Sequence, residues 1–170
     1  ASITTPSLTS DSVYALVNVV SAGTLACSQT QTGSATVTVV PLPTATIAGT
    51  TTICSGSTAA ITFTGTPSAT VTYTVNSGAN QTVALDTTGN ASITTPALTA
   101  TTIYTLVTVA SAGTPSCSQS VNDSATITVS ELPTATISGP TSTCSGTAVT
   151  ISITGTPNAT VTYNVNSGPN

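Results

Sequence analysis

Lysine, arginine and histidine are wholly absent from this sequence, as are methionine and tryptophan. The loss of every cationic side chain excludes whole classes of function. Neutralising phosphates requires Lys or Arg, so no nucleic acid partner is expected. Electrostatic docking on anionic lipid fails for the same reason. Trypsin-like proteases find no bond to cut, which suits an extracellular location; compositional bias in a repetitive gene explains the absence equally well. Acids are scarce too, and charged residues make up 2% of the chain against roughly 25% in an ordinary domain. No apolar run approaches the ~20 residues that cross a bilayer, so no direct membrane insertion is expected. The opening ASITTPSLTS has no basic-then-apolar leader pattern, pointing to a processed or internal piece of a longer chain.

Little is left for catalysis. General acid–base work falls mainly to His, Asp, Glu, Lys, Tyr or Cys, and the only acids are Asp11, Asp86, Asp123 and Glu131. None is placed as a partner for another, so glycosidase chemistry is not expected. Nor do they make the oxygen-rich cluster that calcium requires. The reading is a non-enzyme without cofactor or metal.

What the chain does have is a repeat. Aligning ASITTPSLTS from Ala1 with ASITTPALTA from Ala91 sets an offset of 90 residues, and about 50 of the 80 overlapping positions are identical. The match runs through SAGTLACSQ and SAGTPSCSQ, LPTATIAG and LPTATISG, to TGTPSATVTYTVNSGAN and TGTPNATVTYNVNSGPN. A unit of this size is too long for a solenoid coil and suits a sandwich domain of roughly 100 residues. Pro41, Pro43 and Pro133 interrupt apolar alternation as linkers do. They divide the chain into the C-terminal half of one unit (1–41), a complete unit (42–131) and the N-terminal half of a third (132–170). The ten residues QTVALDTTGN would join Asn170 to another ASITTP, so the polypeptide is expected to continue in both directions.

Disorder is the obvious alternative for so Ser/Thr-rich a chain. Disordered chains combine low hydrophobicity with high net charge, whereas 38% of these residues are hydrophobic and they alternate in short runs. Period-2 alternation predicts strands around Ala45–Ile47, Ala59–Phe63 and Val71–Val75. Val83 and Leu85 are expected to face Ile93 across a hairpin turn at Asp86–Asn90. TTIYTLVTV, apolar on both faces, reads as a central strand with SATITV beside it. Seven strands at this spacing predict an all-β chain of tandem Ig-like β-sandwich domains in a linear array, Thr outward and aliphatics inward. Tyr73, Tyr163, Tyr104 and Tyr14 lie within strands, which favours packing over a sugar-stacking platform.

The four cysteines fall into repeat-equivalent pairs, Cys27 with Cys117 and Cys54 with Cys144. Zinc spacings are absent, so structural disulfides in an oxidising compartment are expected. Two connectivities are open. Cys54–Cys117 would close each domain on itself. Against it, an Ig topology places the two near opposite poles, and bonded cysteines need Cα atoms within about 7 Å. The rival staple joins the first cysteine of one domain to the second cysteine of the following domain.

Asp11-Ser12-Val13, Asp86-Thr87-Thr88 and Asp123-Ser124-Ala125 resemble the D-[ST]-[AILMVT] O-glycosylation acceptor of the Bacteroidota, which makes Ser12, Thr87 and Ser124 candidate sites. N-x-[ST] sequons stand at Asn80, Asn90, Asn122 and Asn158. TTTICSGSTAAITFTGTP, TTIYTLVTVASAG and CSQSVNDSATITV together resemble the Ig-like/PKD-like repeats of very large flavobacterial surface proteins, among them the mobile adhesins of gliding motility. That resemblance implies export by the type IX secretion system, a cell-surface location, partnership with surface-anchoring machinery and adhesion to an external surface or polysaccharide. Neighbouring repeats of the same polypeptide would be its constant partners. Two other classes stay open, a self-assembling filament subunit completed by strand exchange and a carbohydrate-binding module of an exported enzyme.

Overall fold

The computed structural model describes residues 1–166; residues 167–170, the end of the third expected segment and of its repeat match, lie outside it. The described residues are all-β. Four short strands come first, β1 (Ser12–Ala15), β2 (Asn18–Val20), β3 (Ser28–Thr30) and β4 (Ser34–Val37), pairing as β1 with β4 and β2 with β3. The middle segment carries β5 (Ala45–Ala48), β6 (Thr51–Cys54), β7 (Ala60–Gly65), β8 (Thr70–Val75), β9 (Gln81–Ala84), β10 (Asn90–Thr94), β11 (Thr102–Ala110), β12 (Ser118–Ser120) and β13 (Ser124–Ser130). A final antiparallel pair, β14 (Ala135–Ser138) and β15 (Ser152–Gly155), closes the list of strands.

The middle segment folds as two sheets around one core. One has the order β10–β7–β5; the other runs β6–β13–β11–β8–β9, with β12 also on β11. Inward positions alternate as the sequence implies: Ile47, Ile61 and Phe63 come from the first sheet, and Val71, Tyr73, Leu106 and Ile127 from the second. Thr46, Thr62 and Thr64 take the exposed positions between them. Threonine suits this face because its branched Cβ favours extended backbone while its hydroxyl bonds locally. The Thr46 and Thr64 hydroxyls lie 2.7 Å apart across the strands. The core residues from both sheets make one contiguous cluster, the arrangement of a β-sandwich.

Nine strands appear where seven were expected, β6 and β12 being additional. The chain changes sheet at Gly49 and Thr50. β5 bonds to β7 in one sheet, and β6 then crosses to the other and pairs in parallel with β13. Gly49 makes the crossing with φ +128°, and a Cβ there would stand 2.6 Å from the Ala60 carbonyl oxygen. A side chain cannot occupy that position without moving the backbone. The last strand breaks between β12 and β13, both of which pair with β11.

Three further expectations need correction. Asp86–Asn90 does form a tight turn, Gly89 N–H donating to the Asp86 carbonyl at 3.0 Å. It is not a hairpin: β9 pairs with β8 and β10 with β7, so the flanking strands enter different sheets. TTIYTLVTV forms β11, central in its sheet with β13 beside it as expected, but it looks apolar on both faces because a bulge lies between Leu106 and Thr108. The extra residue resets the alternation, so Leu106 and Val109 both point inward despite odd spacing. Pro43, expected in a linker, is fully buried, and its carbonyl accepts a 2.7 Å bond from Gln119 Nε2.

The three strand pairs of the flanking segments each have a counterpart in the middle one. Tyr14↔Ala35 and Val19↔Gln29 correspond at the 90-residue offset to Tyr104↔Ala125 and Val109↔Gln119. Ala135↔Gly155 and Ile137↔Ile153 correspond to Ala45↔Gly65 and Ile47↔Phe63. The Thr pair recurs as well, Thr136 and Thr154 at 2.8 Å. What the flanks lack is equally regular. Residues 1–4, 141–144 and 160–165 form no strand, although their counterparts lie in β10, β6 and β8. Each of those strands bonds to a partner whose counterpart is missing here. An extended segment with no ladder partner gains too little to hold its conformation.

Candidate functional surfaces

The acids serve the backbone. Asp86 Oδ1 accepts from Thr88 N–H at 2.8 Å, Thr88 Oγ1 at 2.7 Å and Asn90 N–H at 2.9 Å. The Asn90 amide, with the Thr88 hydroxyl and amide, holds the Asp86 carboxyl below its ordinary value. Asp123 takes Ile47 N–H on one oxygen at 3.1 Å and Ser124 N–H on the other at 2.9 Å, joining β5 to β13. Asp11 Oδ1 accepts Val39 N–H at 2.7 Å; at the equivalent place Thr101 Oγ1 accepts Val129 N–H at 3.4 Å. A carboxylate and a hydroxyl thus fill one acceptor role in successive repeats. Glu131 is exposed. No group of three or more His, Cys, Asp or Glu gathers among the described residues.

Tyr73 and Tyr104 are core residues. The Tyr73 ring packs against Phe63 at 5.2 Å and Tyr104 at 6.2 Å, and its hydroxyl bonds to Gln81 Oε1 at 3.1 Å. Burial raises both phenol pKa values, with the neighbouring Tyr73 charge adding to the rise at Tyr104. A stacking platform needs exposed ring faces, and these two rings have none to offer.

The candidate modification sites scatter. Thr87 is exposed in the turn, Ser124 is exposed at the start of β13, and Ser12 is half-buried at the start of β1. Asn80, Asn90, Asn122 and Asn158 are all exposed. The structure brings none of these positions together with a cysteine or an acid cluster.

The cysteine pairing Cys54–Cys117 is overturned by register. Cys54 is aligned with Ser130, while Cys117 adjoins Ser118, which pairs with Ala110 at the far end of β11. Counting strand rise between those levels separates the two by roughly 30–35 Å, beyond the ~7 Å limit for bonded Cα atoms. All four thiols are free, and Cys117 instead directs its Sγ to the Val40 carbonyl at 3.8 Å.

The apolar surfaces of note lie on the flanks, at positions that are core in the middle segment. Ile61 is 0% exposed and its equivalent Ile151 52%; Tyr73 is 5% and Tyr163 64%; Leu106 is 2% and Leu16 64%. Open hollows line these faces, one beside Ile137, Ile151 and Tyr163, another beside Tyr14 and Leu16. The sequence repeat could have revealed both faces, since each flank holds only part of the set that buries them.

Compared with known proteins, the chain matches no family model and no curated protein.

Proposed function

We propose that this chain is a stretch of an extracellular adhesive stalk, a linear array of tandem Ig-like sandwich repeats in a very large exported surface protein. One observation carries the reading: strand registers recur at the 90-residue offset on both sides of the closed middle sandwich. A series of like sandwiches joined by a few residues is a spacer by construction. The order β10–β7–β5 against β6–β13–β11–β8–β9, with a first strand shared between sheets, supports the Ig-like assignment. The acids are engaged with the backbone, which supports a structural role over chemistry.

The likeness to flavobacterial repeats extends the proposal to surface attachment or gliding motility, with type IX export, an anchoring complex at the cell surface and an external surface or polysaccharide as ligand. O-glycans on Ser12, Thr87 and Ser124 would supply the solubility that charge does not. Antibody raised against this chain provides the test. It is expected to label intact cells, to block their attachment, and to detect one species far above 16.5 kDa on a reducing denaturing gel. Labelling confined to lysed cells would refute the stalk. A species near 16.5 kDa would favour a separate filament subunit.

A further inference from the structure

Each pole of the middle sandwich carries one cysteine, and each cysteine meets the chain where it passes between units. At the pole that receives the preceding unit, Cys117 Sγ lies 3.8 Å from the Val40 carbonyl oxygen. Gln119, two residues on, holds the same linker through its 2.7 Å bond to the carbonyl of buried Pro43. At the pole that leads to the following unit, Cys54 is aligned with Ser130 in the parallel ladder, and Ser55 N–H donates to the Ser130 carbonyl at 2.8 Å. Val40 and Ser130 are one position of the repeat, 90 residues apart. Both cysteine positions recur as well, Cys27 with Cys117 and Cys54 with Cys144.

Superposing the two junctions brings both cysteines to one carbonyl. Cys54 stands one strand spacing, ~4.8 Å, from Ser130, and the thiol at the Cys117 position of the next unit touches that residue's oxygen. This is the scale of the ~7 Å that bonded Cα atoms allow.

We propose that each junction is closed by a disulfide between the Cys54 position of one unit and the Cys117 position of the next, along one continuous polypeptide, and that these bonds form a covalent spine that keeps the stalk from unfolding under load. The inference rests on the tandem-array reading above. Each bond forms by exchange with a disulfide oxidant. One thiolate attacks the oxidant to give a mixed disulfide, the second displaces that sulfur, and the oxidant leaves as two thiols carrying both electrons and both protons.

The spine follows from the spacing. Cys117 and Cys144 are 27 residues apart, as are Cys27 and Cys54. A load entering at a Cys117 position runs along β12, β13 and β14 to the Cys144 position, then crosses a bond to the Cys117 position two units on. At about 3.4 Å per residue that stretch measures roughly 90 Å, and it spans two folded units of about 40 Å each. Slack is therefore on the order of 10 Å for two units. The stretch from Cys54 to Cys117, which holds most of the core, is bypassed.

Single-molecule pulling on the native surface protein, purified without reductant, tests this. Reduced, the array is expected to show repeated unfolding events of roughly 260 Å. Oxidised, those events should vanish, each unit lengthening more than tenfold less before the tether fails. The reduced pattern persisting in oxidised protein overturns the spine and leaves the stalk standing. Oxidised events shortened to about 50 Å mean bonds inside single units and also overturn it. A reduced protein without repeated events overturns the stalk, and the spine with it. Peptide mass mapping of the oxidised protein gives a second readout, in which Cys54 and Cys117 should each be joined to a peptide from another repeat. A free thiol at either position, or a bond between the two, overturns the proposal.

Discussion

Ile61 and Ile151 are the same residue at the same place in the repeat, yet one is enclosed between two sheets and the other faces an open hollow. Truncating each to alanine isolates what enclosure contributes. Removing three carbons from Ile61 forfeits about 0.8 kcal/mol each in transfer, to which an uncollapsed cavity adds more, giving about 3–4 kcal/mol within the usual range for Ile→Ala. At roughly 4–8 °C per kcal/mol for a domain of this size, Ile61→Ala should lower the melting temperature by roughly 12–30 °C. Ile151→Ala should cost under about 1 kcal/mol, as at other half-open sites. The assay is urea unfolding followed by far-UV circular dichroism, at a concentration where sedimentation shows a monomer. Equal losses at the two positions would refute the claim that only the middle segment is closed.

Other outcomes follow from individual contacts. Gly49→Ala puts a Cβ against the Ala60 carbonyl at a positive φ, and urea midpoints should show a loss of about 1–3 kcal/mol. Thr101→Val leaves Val129 N–H without its acceptor and should cost about 0.5–1.5 kcal/mol. Thr101→Asp should be nearly neutral by the same measurement, because Asp11 fills that role one repeat earlier. Melting temperature should be nearly flat from about pH 5 to 8, where a chain without histidine has little to titrate. On the acid side, the lowered Asp86 carboxyl gives stability that is present above its unfolded value and lost as pH falls through the folded one; Asp86→Asn should remove that slope. On the alkaline side, the raised Tyr73 and Tyr104 phenols give stability present below about pH 10 and lost as pH rises through their folded values.

Sequence alternation located Ile61, Phe63, Val71 and Tyr73 in the core, because one buried face per strand leaves a period of two. It failed where the period itself changes. The bulge at Leu106–Thr108 shifts parity within one strand, and no local residue pattern distinguishes that from a strand buried on both faces. The Asp86–Asn90 turn has hairpin chemistry, and only the packing of β9 and β10 onto separate sheets decides where its strands go. β6 was invisible for a related reason, since its sole ladder partner, β13, lies more than 70 residues further on. Among the candidate sites, Tyr73 and Tyr104 were legible as packing residues, whereas the cysteine pairing was not. An Ig topology already implied opposite poles for Cys54 and Cys117, and the parallel β6–β13 register decides between the two connectivities by turning that objection into a distance.

Pulling the reduced chain between its ends by atomic force microscopy tests the central claim most directly. Residues 43–130 hold the closed sandwich, and stretching that segment at about 3.4 Å per residue releases roughly 300 Å. Less a folded length of about 40 Å, the expected trace has one sharp unfolding event with a contour gain near 260 Å, and featureless extension of both flanks. A smooth rise without that peak, or several peaks of unrelated length, would contradict a repeat unit that closes on itself.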